Sequence, residues 1–65
     1  MNKSETNGYL AAVTAQLRAV ESQLDEINRT GDLGGIAFDV FREVRMEVIN
    51  AGVKLDGVRS WNLRD

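Results

Sequence analysis

Three carboxylates, Asp39, Glu43 and Glu47, follow one another at four-residue steps in this 65-residue chain. On a helix that spacing puts them along one face. Such a row can hold a divalent cation or supply an acid/base pair. The rest of the inventory argues against both uses. The chain has no histidine and no cysteine. The commonest general base, the commonest metal ligand and the thiolate nucleophile are therefore missing. Carboxylate metal sites in helical bundles normally add a Glu-x-x-His pair. Serine and threonine have no base to activate them. The expectation is a chain with no catalytic residues, no bound metal and no cofactor. The acidic row is then a solvated face, or a stripe facing basic groups such as Arg18 or Lys54.

A second constellation lies in the same stretch, "FDVFREVRMEVIN". Val40, Val44 and Val48 share one helix face. Phe38, Arg42, Arg45, Met46 and Ile49 lie almost opposite, with Val53 continuing the line. A helix that is apolar on two sides must be covered on two sides. Arginine and aromatic residues are enriched at interfaces because they bury area and still find polar partners. Three coverings suit this second face: a copy of the same chain, another protein, or an anionic nucleotide gripped by the arginines. Trp61, flanked by Arg59 and Arg64, either folds back over Val58 and Leu55 or anchors a partner. Docking within an oligomer is the expectation for it.

The elements that must carry these residues are helices. Leu10, Val13, Leu17, Val20, Leu24 and Ile27 alternate steps of three and four, an unbroken heptad seam. The first helix is expected over about residues 6–29. Ser4, Thr6 and Asn7 are its candidate caps, and Arg18–Glu21 and Asp25–Arg29 its local ion pairs. Ala12, Ala15, Ala19 and Ser22 form a strip of small residues beside the seam. The turn, "NRTGDLGG", spans about 30–34. Gly31 is placed to end the first helix in the left-handed conformation, and Asp32 to cap the second. A phosphate cradle there would need the lysine and hydroxyl of a P-loop, which are absent.

The second helix is expected over about 33–58, followed by a short tail, 59–65. Leu33, Ala37, Val40, Val44, Val48, Ala51, Leu55 and Val58 form its broad apolar band. That band is expected to meet the heptad seam of the first helix. The oligomer core would then comprise Leu10, Val13, Leu17, Val20, Leu24 and Ile27 with Val40, Val44, Val48 and Leu55.

Composition sets the scale of the assembly. One domain fits in 65 residues, and a monomer of that size buries a marginal core. Without disulfides or metal, self-association is the expected source of stability. A net charge of −2 gives no bulk attraction to nucleic acid or an anionic membrane. No apolar run approaches a membrane span, and the polar start, "MNKSETNG", is unlike a secretory leader. A cytoplasmic protein is expected.

The architecture resembles the Rop-type plasmid hairpins, which pair into antiparallel four-helix bundles. Those bind paired RNA loops through a basic first-helix face. Here the matching surface holds Arg18, Glu21, Asp25, Glu26 and Arg29, a mixed set, so RNA binding does not carry over. The two-faced second helix, with Arg42, Arg45 and Met46, is also similar to that of small phage proteins that sequester cyclic-nucleotide signals. The expected fold is all-α: an antiparallel two-helix hairpin forming a homo-oligomer, a dimeric four-helix bundle. The expected function is non-enzymatic binding, as a small regulator or inhibitor of another protein. The alternatives are an anionic-nucleotide sponge with sites at subunit interfaces, or a purely structural bundle component. Phe38, Arg42, Arg45, Met46, Ile49 and Trp61 are the expected partner- or ligand-binding residues.

Overall fold

The computed structural model describes residues 1–64. Two helices, α1 (Lys3–Thr30) and α2 (Gly35–Arg64), are joined by residues 31–34. They run antiparallel: Asn7 meets Asn62, Arg18 meets Asp56 and Asp25 meets Arg45. The hairpin is 46 Å long, the length of its longer helix at about 1.5 Å per residue.

Caps fix the ends of α1. The Asn2 side chain accepts the Glu5 backbone N–H at 2.8 Å. The cap is therefore Asn2, upstream of Ser4, Thr6 and Asn7, and the helix starts earlier than expected. Glu5 adds a carboxylate to the positive end. At the other end the Gly31 N–H donates to the Ile27 carbonyl at 2.7 Å. Gly31 has φ −74°, so it is not the left-handed terminator the sequence suggests. Glycine is needed there for space: a Cβ would stand 2.5 Å from the Ile27 carbonyl oxygen. The left-handed residue is Gly35, with φ 56°. Because α2 opens at Gly35, Asp32 lies too far upstream to cap it.

The far end of α2 also departs from expectation. The helix passes through Gly57 and continues to Arg64, so the tail expected from 59 onward is helical; Asp65 lies outside the described residues. A single helical glycine costs about 1 kcal/mol relative to alanine and does not by itself stop a helix. Asn62 then reaches Asn7, its Nδ2 donating to Oδ1 at 2.9 Å, and ties the open end of the hairpin.

The helices approach most closely around small residues. Thr14 and Gly52 are the two buried positions among the described residues, and no apolar side chain is fully buried. The Thr14 hydroxyl satisfies itself on the Leu10 carbonyl at 2.8 Å. Around Thr14, α1 presents Leu10, Leu17, Glu21 and Leu24, all half-buried. Around Gly52, α2 presents Phe38, Phe41, Arg45, Val48, Ile49 and Leu55, also half-buried.

This differs from the expected packing. Val40, Val44 and Val58 were to meet α1, yet they are 42–52% exposed. The helix is turned so that Phe38, Arg45 and Ile49 approach α1 instead. The reason is electrostatic: in this rotation Arg45 finds its acceptor and Asp56 its donor on α1.

The glycines give a local test. Gly31→Ala and Gly35→Ala are each expected to cost on the order of 1 kcal/mol, one by crowding a carbonyl and one by φ. Gly52→Ala is expected to gain about 0.5–1 kcal/mol of helix propensity. Its Cβ would meet only the Glu21 carboxylate, at 3.4 Å. Urea denaturation measures all three, and a destabilised Gly52→Ala would contradict this account of the helix contact.

Candidate interaction surfaces

Each helix has a line that faces the other, through Thr14 on α1 and Gly52 on α2. The remaining residues fall to one side or the other of the hairpin. In antiparallel helices, the same sense of rotation counted along each chain leads to the same side of the pair. At about 100° per residue, Val13, Val20 and Ile27 lie roughly 100–140° from the facing line of α1. In the same sense Ala37, Val40, Val44, Ala51 and Val58 lie roughly 60–120° from that of α2. Both sets therefore open onto one side.

That side is apolar over most of its length, with Thr6 and Asn62 at its open end. Val13, Val20 and Ile27 are 37–42% exposed there, and Val40, Val44 and Val58 flank them across the groove. Leu10, Leu17, Leu24, Val48 and Leu55 form its half-buried floor. Between roughly 60° and 120° from the facing line, neither helix carries a charged residue on this side. The ten residues expected to build an oligomer core thus share a single face. They do not close a core within the hairpin.

The opposite side is mixed. Arg18 pairs with Asp56 at 2.8 Å and Arg45 with Asp25 at 2.7 Å, both across the helices. The sequence suggested local partners, Glu21 and Arg29, for Arg18 and Asp25. Arg29 pairs with Glu26 instead. These pairs are largely solvated, so each contributes at most about 1 kcal/mol; they orient the helices more than they stabilise them. A shallow groove between them is lined by Arg18, Glu21, Ile49, Gly52, Val53 and Asp56. Ala15 and Ser22 of the small-residue strip border this side, together with Ala11.

The six expected binding residues are divided by the fold. Phe38, Arg45 and Ile49 are half-buried beside α1, whereas Arg42, Met46 and Trp61 are exposed. The Arg42 guanidinium stands 5.9 Å from the centre of the Phe38 ring. Trp61 does not fold over Leu55 or Val58. It is 66% exposed, with the Arg64 guanidinium 5.3 Å from its ring. Both distances fall within the range of cation–π attraction.

Asp39, Glu43 and Glu47 share the outer face of α2 with Arg42 and Met46, around a shallow depression. Among the described residues no group of three His, Cys, Asp or Glu side chains is arranged to hold a metal ion. No described helix is long and apolar enough to cross a membrane.

Sequence reasoning gave Asp25 and Asn7 local roles and passed over Asp56 and Asn62, and all four make contacts across the hairpin. Their side chains have equally good local partners on paper. The signal that could have found them is Gly52, a small residue in the middle of a long helix. No family model, no curated protein and no solved structure matches this chain.

Proposed function

We propose that this hairpin is a non-enzymatic binding protein that works as a homo-oligomer, a small cytoplasmic regulator or inhibitor of another protein. One observation carries the reading. The ten residues of the apolar band, from Leu10 to Leu55, open onto one side, and among the described residues no apolar side chain is fully buried. Surface area gives the scale. A compact monomer of 7.2 kDa exposes roughly 4,100 Å². The hairpin exposes 4962 Å². The excess is about the 800 Å² that a standard interface removes from each partner.

The division of surfaces supports the binding role. Once the apolar side is covered, Arg42 and Met46 on α2 and the Trp61–Arg64 pair remain outward. These residue types recognise protein surfaces.

The experiment is native mass spectrometry of the protein gently purified from its host. A dimer or higher even oligomer carrying a second protein supports the reading. A monomer without partners overturns it. A bound anionic nucleotide in place of the protein would shift the function to sequestration. Association also makes stability depend on concentration. For a dimer, each tenfold rise in concentration adds about 1.4 kcal/mol, or roughly 5 °C in melting midpoint for two chains of this size. Calorimetry over two decades of concentration measures it, and a flat midpoint is the contrary result.

A further inference from the structure

We propose that a second copy of this chain covers the apolar side in an antiparallel sense, α1 on α1 and α2 on α2, with Glu47 of each protomer opposite the partner's Lys54. This rests on the self-associating reading above and gives it a defined geometry.

The occupant follows from area and pattern. The excess surface of the hairpin matches what a standard interface removes from each partner, and its apolar side is free of charge on both helices. A copy of the same face is the complement that leaves no charge buried. Two ways of stacking two hairpins bring these faces together. With the two-fold axis along the bundle, α1 lies over the partner's α2. With the axis across the bundle, each helix lies over its own copy, antiparallel.

The rims decide between them. The outer edge of α1 beside the apolar side holds Tyr9, Gln16 and Gln23, so two copies of α1 meet without repulsion. The corresponding edge of α2 holds Glu47 and Lys54, one heptad apart and both exposed. Antiparallel pairing of α2 with itself, centred near Ile49 and Asn50, sets each glutamate against the other chain's lysine. The same centre pairs Val44 with the partner's Leu55 and Val48 with the partner's Ala51. The hairpin's register places that centre correctly on α1 as well. Gly52 stands beside Glu21, and Arg45 beside Asp25, so Ser22 is level with Ile49 and Asn50. About Ser22, Leu17 meets the partner's Ile27 and Val20 the partner's Leu24. Three of these four layers join a larger to a smaller side chain and the fourth, Leu17 with Ile27, joins two of equal size, a pattern that suits interdigitation in a close-packed core. In the other stacking, Glu47 and Lys54 face the glutamines and form no reciprocal pairs.

Charge reversal tests the arrangement. Lys54→Glu leaves four carboxylates on the joint, and Glu47→Lys leaves four ammonium groups. Both positions are exposed in the hairpin, so neither change disturbs its folding. Each variant alone is expected to raise the dissociation constant for self-association by at least tenfold. The Glu47→Lys, Lys54→Glu double variant is expected to recover it. An equimolar mixture of the two single variants, one labelled with nitrogen-15, should form mixed dimers in clear excess over the statistical half, read by native mass spectrometry. Statistical mixing, or single variants that associate like the parent, overturns this geometry while leaving a dimeric parent in place. A parent that is monomeric at every concentration overturns the self-associating reading itself.

Discussion

Val44→Asp is expected to abolish the assembly and most of the fold, while Met46→Asp leaves both intact. The two side chains are comparably exposed in the hairpin, 42% and 52%. Taken as an isolated monomer, the molecule offers no reason for them to differ. They lie on opposite sides of it. Val44 is in the middle of the charge-free side, where a second subunit would desolvate a carboxylate with no partner in reach. Loss of the valine's burial adds to that penalty. Together the two effects are expected to cost about 3–5 kcal/mol per subunit, most of the stability of a domain this small. Met46 shares its patch with Arg42, Asp39 and Glu43 in open solvent. A surface substitution there stays within about 0.5 kcal/mol. Light scattering and far-ultraviolet circular dichroism read both variants. Equal behaviour of the pair would remove the distinction between the two sides.

The split between those sides is where the sequence stopped being legible. The heptad seam of α1 and the glycine-rich turn were enough to give an all-α hairpin, because period and punctuation are local signals. The rotation of α2 was not local. Phe38, Met46 and Ile49 on one face and Val40, Val44 and Val48 on the other make both faces apolar, and periodicity alone cannot rank them. The choice was made by Arg45 and Asp56, which found Asp25 and Arg18 across the gap. An arginine with acidic residues available at several spacings does not reveal its partner in advance. The helix ends illustrate the same limit. Asn2 was as good a cap as its neighbours, and only the geometry selected it. Nothing in "VRSWNLRD" forbids a helix, and docking of Asn62 on Asn7 was a tertiary event.

Ile49→Asp is expected to weaken the hairpin itself and to leave its mode of association unchanged. The residue sits at the edge of the helix contact, in the groove between Arg18, Glu21 and Asp56. A carboxylate there loses the apolar contact and stands beside two acidic groups, with Arg18 already engaged by Asp56 at 2.8 Å. The expected cost is about 2–4 kcal/mol, from lost burial and like-charge proximity. Leu17→Ala should cost a similar amount, because it belongs to both the helix contact and the apolar side. The two variants differ in what else they change. Ile49→Asp lowers the unfolding midpoint, but the folded fraction at high concentration keeps the parent mass. Leu17→Ala lowers the midpoint and also shifts that fraction toward smaller species. Sedimentation alongside denaturation separates the cases. If Ile49→Asp instead yields a folded monomer, then its face is an oligomer seam, and the strip from Phe38 to Val53 is covered by another subunit as well as by α1.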